Sequence, residues 1–138
     1  IIVSYETYVK DRNNIKFIKS YNNIDCLILD EAHKIKNPLS GVGTHVHTTS
    51  FNQNFVITAT PMPNSPVEAY NYLRLGKKVF ENYYAFQKKY CVFGGFNDKK
   101  VIGFKNLTPL KNLIQDNMLR RTKKEKLKEL PDVIFKDI

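Results

Sequence analysis

Two adjacent carboxylates, Asp30 and Glu31, follow the apolar run Cys26-Leu27-Ile28-Leu29, and His33 stands two residues further on. The run has the length of one buried strand, so the acids fall at its C-terminal tip, where open parallel sheets bind ligands. Neighbouring strand residues point to opposite faces, so both acids can serve one site only if the strand ends there. The loss of apolar residues after Leu29 fits that ending. At such a tip, nucleotide hydrolysis uses one carboxylate to hold Mg2+ through its water shell and the next to orient and deprotonate the attacking water. The competing reading is an ordinary acidic strand end, and the pair alone favours it.

Beyond the acids lie Lys34, Lys36 and Asn37. Lysine suits contact with a phosphate backbone, because a point charge reads backbone without reading sequence; plain solvation is the alternative. A second polar group, Thr58-Ala59-Thr60-Pro61, follows the apolar run Phe55 to Ile57. Its hydroxyls could face the acids across a sheet, or be no more than β-branched residues closing a strand. His45 and His47 form a His-x-His pair, but a metal site needs a third ligand and neither cysteine is near in sequence, so solvated loop histidines are expected. The Tyr and Phe residues between 80 and 104 could stack on bases; the core of a small helical insertion is the expectation.

The elements that position these groups follow from the apolar pattern. Ile1 to Val3, Cys26 to Leu29 and Phe55 to Ile57 are continuous rather than alternating, which predicts strands of a parallel sheet covered on both faces. Asp11 to Ser20, with Ile15 and Ile18 on one side, fits a crossover helix, and SGVGTHVHTTS fits a loop. Ser65 can cap a helix with Pro66 in its first turn, Glu68 completing a capping box and Gly76 as the stop. Thr108-Pro109 starts another helix along Leu110, Leu113, Ile114 and Met118. Tyr83 to Tyr90 is a weaker helical candidate, VFGGFNDKKVIGF a loop or small hairpin, and TKKEKLKEL a charged helix or linker.

A chain of 138 residues suits one domain with a real core. No uninterrupted apolar run approaches the roughly 20 residues of a membrane helix. The net charge is +9, and residues 99 to 138 carry eleven Lys/Arg against five Asp/Glu, a balance that suits a polyanion or simply a lysine-rich surface. Eighteen Lys against four Arg, with fourteen Asn, can equally reflect an AT-rich coding sequence. Two cysteines without metal spacing point to a reducing interior, cytoplasmic or nuclear. The first residue is Ile1, so the chain is expected to begin inside a domain. No Gly is followed at the required offset by Gly-Lys-Ser/Thr, so these residues contain no phosphate-binding loop.

LILDEAHKIKN resembles motif II of helicase superfamily two, and VITATPMPNSPVEAYNYL resembles motif III with its downstream helix. The Lys-Asn extension, Thr-Ala-Thr-Pro followed by Pro-Asn-Ser, and NMLRRTKKEKLKELPDV look like the Swi/Snf-type branch of double-stranded-DNA translocases; VSYETY is similar to that branch's motif Ib region. The resemblance covers essentially the whole chain in order. It implies an α/β fold, a partial RecA-like parallel sheet with flanking helices and a helical insertion. Residues 1–75 would be the partial first lobe, 76–119 the insertion, and 120–138 the closing segment toward a second lobe outside this chain.

By the same resemblance, Asp30 matches the Mg2+ ligand, Glu31 the general base, and His33 a residue linking the nucleotide site to motif III. Thr58, Ala59 and Thr60 match the motif that couples ATP state to DNA contact. Ser4, Tyr5, with Thr7 a weaker candidate, and Lys34, Lys36 and Asn37 would lie on the DNA-facing edge. Arg120 and Arg121 would brace the insertion or engage the partner lobe. ATP and Mg2+ are the implied substrate and cofactor, and double-stranded DNA and the remainder of the polypeptide the implied partners, with no membrane. The parent would hydrolyse ATP to move along DNA, while this segment, lacking the phosphate loop, would be inactive alone. The alternatives are a non-enzymatic nucleic-acid-binding module, against which the intact DEAH counts, and another superfamily-two enzyme such as an RNA helicase or restriction translocase.

Overall fold

The computed structural model describes residues 1–47, 51–62, 64–121 and 125. It is an α/β arrangement with a parallel strand pair near one end of the chain and an antiparallel hairpin among helices near the other. TKKEKLKEL lies, apart from Glu125, outside the described residues.

Strand β1 (Cys26–Leu29) pairs in parallel with β2 (Gln53–Val56), Cys26 opposite Gln53 and Leu29 opposite Val56. Its C-terminal end is where the sequence places it. The ladder runs on past both ends: Gln53 N–H donates to Asp25 O at 3.0 Å and Ile57 N–H to Leu29 O at 2.8 Å. Helix α1 (Tyr5–Lys10) and α2 (Arg12–Tyr21) precede this pair, and α3 (Gly41–His45) lies within the connection between its strands.

Three expectations are corrected here. Ile1 to Val3 form no strand; Ser4 is extended, and its Oγ accepts the Thr7 N–H at 3.1 Å and starts α1. An N-cap with Glu6 in the first turn outweighs the β-branched character of this run, and a strand without a ladder would leave its backbone groups to solvent. Within the Gly/His/Thr segment, Gly41–His45 is likewise a short helix, α3, capped by Ser40 Oγ on the Gly43 N–H at 3.0 Å. Nor is the parallel pair covered on both faces among the described residues. Leu29 is buried, whereas Ile28, Phe55 and Ile57 are each more than half exposed.

Beyond β2, Ser65 caps a 3-10 turn, Pro66–Ala69, that runs directly into α4 (Tyr70–Leu75). Pro66 supplies the fixed φ of the first turn, as expected. The Glu68 carboxylate reaches Asn64 N–H at 3.1 Å, one residue further back than a capping box would take it. Gly76 does close α4, but the left-handed residue is Lys77, at φ 57°.

The remaining elements are α5 (Tyr83–Tyr90), capped by Asn82 Oδ1, and β3 (Cys91–Gly94) antiparallel to β4 (Lys100–Phe104) with a bulge after Val92. Helix α6 (Leu107–Gln115) follows, and the loop-or-hairpin alternative resolves to the hairpin.

Two apolar cores result. Tyr70, Leu73, Phe86, Tyr90, Cys91, Leu110 and others form one, with Phe86 edge-on to Tyr70 at 5.2 Å between centroids and tilted on Tyr90 at 4.7 Å. Phe86 and Tyr90 are therefore core, while Phe80, Tyr84 and Phe96 stay exposed. Leu29, Ala32, Ile35, Val46 and Leu75 form the other, directly behind the acid pair. Helix α4 contributes to both, with Tyr70 and Leu73 to the first and Leu75 and Tyr72 to the second.

Candidate active site at the tip of the parallel pair

Strand β1 ends at Leu29, Asp30 and Glu31 stand exposed beyond it, and Glu31 takes left-handed backbone angles of φ 49° and ψ 44°. A non-glycine residue there is uncommon and is held by its surroundings. The kink lets a 3-10 turn, Ala32–Ile35, leave the strand with Ala32 and Ile35 fully buried. Burial of those two residues in the core behind the strand anchors the turn while the acids stay in solvent.

The backbone around Glu31 is tied at several polar groups. Asp30 O accepts the Tyr5 hydroxyl at 2.7 Å, and the Glu31 N–H donates to Asp30 Oδ1 at 2.9 Å. Ala32 N–H donates to Ile57 O at 3.0 Å, and Ala32 O accepts the Tyr72 hydroxyl at 3.3 Å. Half-burial, followed by the charges of Asp30 and Glu31, pushes the Tyr5 phenol up to about 12; burial, followed by Glu68 and Tyr5, pushes Tyr72 up to about 12. Both hydroxyls are donors at any working pH.

His33 Nδ1 lies 3.2 Å from Glu31 Oε2, so the acid and the histidine of the motif meet directly. Among the described residues neither Thr58 nor Thr60 hydrogen-bonds His33; the Thr60 N–H donates to Thr58 Oγ1 at 3.2 Å. The two polar segments are joined instead through Ile57, which donates to Leu29 and accepts from Ala32 immediately before Thr58.

The residues expected on the basic edge divide. Ser4 is a helix cap, and Tyr5 turns its hydroxyl to the acid loop. Lys34 is exposed with its Nζ 5.5 Å from the Tyr5 ring centroid, whereas Lys36 is half-buried against Glu68 at 3.6 Å. Asn37 shapes the following turn, its Oδ1 accepting Leu39 N–H at 2.9 Å. Arg120 and Arg121 are exposed, the Arg121 guanidinium donating to Arg120 O at 3.1 Å.

Sequence reading missed Asn71. It is fully buried, donates to Ile35 O at 2.6 Å and to Gly43 O at 3.3 Å, and bonds His47 Nε2 through Oδ1 at 3.0 Å. One amide thereby joins the turn after the acids, α3 and α4. The only available signal was a polar residue at an inward helical position of α4. The histidines are correspondingly not free loop residues: His47 is half-buried on Asn71, and His45 Nδ1 lies 2.6 Å from Gly41 O.

Burial, opposed in part by the Asn71 bond and reinforced by the Arg74 charge, holds His47 below its ordinary 6.5. The unfolded chain then binds the proton more readily, so this contribution to stability is complete above about 6.5 and is lost as pH falls from there through the lower folded value. Denaturation midpoints measured from pH 7.5 to 5 should fall with acid, and His47→Gln should show a shallower decline.

The profile of the SNF2-related domain matches residues 1–136. The chain therefore belongs to the SNF2-related family, within helicase superfamily two. It is 27% identical over 132 residues to Protein CHROMATIN REMODELING 4 of Arabidopsis thaliana, covering 95% of this chain and 5% of that protein. Against Protein CHROMATIN REMODELING 5 of the same plant, identity is 30% over 137 residues, 97% of this chain and 7% of the relative. Against ISWI chromatin-remodeling complex ATPase CHR17, also from Arabidopsis thaliana, it is 28% over 132 residues, 94% and 11% respectively. The chain thus spans a small fraction of these relatives' length.

Proposed function

We propose that this chain is the later part of the first RecA-like lobe of a motor that hydrolyses ATP to move along duplex DNA. Residues 1–75 belong to the lobe, 76–119 to its helical insertion, and 120–138 to the segment leading to the second lobe. The observation that carries the reading is the acid pair at the tip of a parallel strand, with Glu31 against His33 and the backbone beside it bonded to the segment that enters Thr58-Ala59-Thr60.

Asp30 fits the role of Mg2+ ligand. Its carboxylate is a hard oxygen donor, exposed, with one oxygen taken by the Glu31 N–H and the other without a protein donor among the described residues. Bound Mg2+ would neutralise charge on the phosphates of ATP. Glu31 is the base that orients and deprotonates water, and His33, beside its Oε2, fixes the direction of that carboxylate. Ile57 carries displacement between the acid loop and Thr58 to Thr60, because its N–H and C=O are both committed to the β1 side.

A phosphate loop and a second lobe must come from elsewhere in the parent polypeptide, so the isolated 138 residues are expected not to turn over ATP. The parent's ATP hydrolysis should be stimulated by duplex DNA more than by single strands or RNA. Stimulation by RNA alone would overturn the reading.

Lys34 is exposed next to the acids, and a point charge there suits contact with phosphate. Lys34→Ala in the parent should weaken DNA binding uniformly across sequences and reduce the slope of log affinity against log salt by about 1. Titrations at several salt concentrations measure it.

A further inference from the structure

The residue at the centre of the candidate site, Glu31, is held in a left-handed conformation that a glutamate does not favour. Its own side chain does not hold it there: the carboxylate is about two-thirds exposed and contacts His33. The backbone on either side is held from two separate elements. From α1, the Tyr5 hydroxyl donates to the carbonyl of Asp30; from α4, the Tyr72 hydroxyl donates to the carbonyl of Ala32. The two carbonyls bracket Glu31. Rotation of Glu31 back to ordinary helical or extended angles would swing at least one of them away from its phenol.

We infer that Tyr5 and Tyr72 act together as a clamp across Glu31, one on the peptide unit that precedes it and the other on the carbonyl of Ala32, one unit further on, and are positioning residues that keep its carboxylate aimed for hydrolysis. The inference rests on the reading of Glu31 as the base and extends it to two residues whose hydroxyls are bonded to the main chain of the acid loop. It also separates Tyr5 from the DNA-contact role expected of it, because its polar atom is committed to the acid loop. Tyr5 is within cation–π range of Lys34, so a phosphate that draws the lysine away would act on the clamp from the DNA side. Tyr72 packs on the core behind the acids, and the next turn of α4 carries Leu75 into the same core. Tyr5 is half-buried against the same core, so the two arms reach the acid loop from different helices over one apolar base.

The test uses the full-length motor, in Tyr5→Phe, Tyr72→Phe and the double variant, with Glu31→Gln as reference. Phenylalanine keeps the ring packing and removes only the donor. Four quantities are measured for each: kcat and KM for ATP with saturating duplex DNA, affinity for a non-hydrolysable ATP analogue, thermal midpoint, and hydrogen exchange of the peptide spanning Asp30 to Ala32. For the double variant, kcat is expected to drop about ten- to a hundredfold, with analogue affinity and KM within about twofold and faster exchange at Asp30 to Ala32. The thermal midpoint should stay near that of the wild type.

An unchanged kcat alongside an inactive Glu31→Gln overturns the clamp and leaves the reading of Glu31 intact. A loss of kcat matched by a large fall in thermal midpoint also overturns it, since that is a structural role. If Glu31→Gln itself turns over ATP normally, the reading of the base fails, and the clamp with it. The single variants guard against a double variant that does not fold: each should lower kcat less than the pair, with no loss of analogue affinity.

Discussion

On the proposed reading of the parent as a DNA-dependent ATPase, Glu31→Gln is expected to lower its DNA-stimulated ATP turnover by about 10²- to 10⁴-fold, with ATP binding retained. Glutamine has nearly the shape of glutamate and keeps an oxygen that can accept a hydrogen bond, but it cannot take a proton from water. The backbone ties around position 31 use the main chain of residues 30 to 32, the Asp30 carboxylate, the Ile57 carbonyl and two phenols, none of which the substitution alters. The side chain is exposed, so no packing is lost. The result should therefore be a loss confined to kcat, with an unchanged thermal midpoint. Single-turnover hydrolysis separates the chemical step from product release. An Asp30→Asn variant provides the contrast: it removes charge from the proposed Mg2+ ligand, and so should weaken nucleotide binding in Mg2+ as well as turnover. Equal retention of kcat in Glu31→Gln would mean that another group takes the proton.

Gly43→Ala is expected to destabilise the fold by about 3 kcal/mol or more. A β-carbon at this position would lie 1.9 Å from the carbonyl oxygen of Asn37 and 3.0 Å from Asn71 Nδ2. Both neighbours are fixed. The Asn37 carbonyl accepts from Ser40 N–H at 3.2 Å and Ser40 Oγ at 2.8 Å, and the Asn71 amide joins Ile35, Gly43 and His47. Relief would require opening the turn after the acids or breaking the buried amide's bonds, and an unsatisfied buried amide is itself costly. Gly41, two residues earlier in α3, is the control, because nothing lies within 4 Å of a β-carbon built there. Gly41→Ala should be neutral or stabilising by up to about 1 kcal/mol, through helix propensity. Denaturant or thermal unfolding of both variants checks the pair, and equal stabilities would show that the turn yields freely.

The legible parts of the fold are those where local chemistry and packing agree. Cys26–Leu29 is a strand within the bounds its apolar run suggests, and Ser65 and Pro66 start their element as their chemistry requires. Leu110 and Ile114 are buried at helical spacing along α6. Where the two disagree, the local signal misleads. The run IIVSYETYV is rich in β-branched residues, but a serine with a free N–H three residues ahead makes a helix start, and Tyr8 buries one side of it. The segment SGVGTHVHTTS has a loop's composition, yet Ser40 caps it and Val46 is fully buried in the core behind the acids.

Within the candidate site, residue types and their order by themselves determined the family, the acid pair at a strand end and the polar segment after the next strand, because these depend on short spacings and on which side chains carry charge. Only the tertiary structure decided that Glu31 is left-handed, that Tyr5 faces the acid loop, and that Tyr72 and Asn71 hold it from a helix about forty residues away. The physical reason is that a backbone conformation of this kind is not the preference of any one residue. It persists because carbonyls and amides from distant parts of the chain find their partners only in that arrangement, and such pairings leave no period in the sequence.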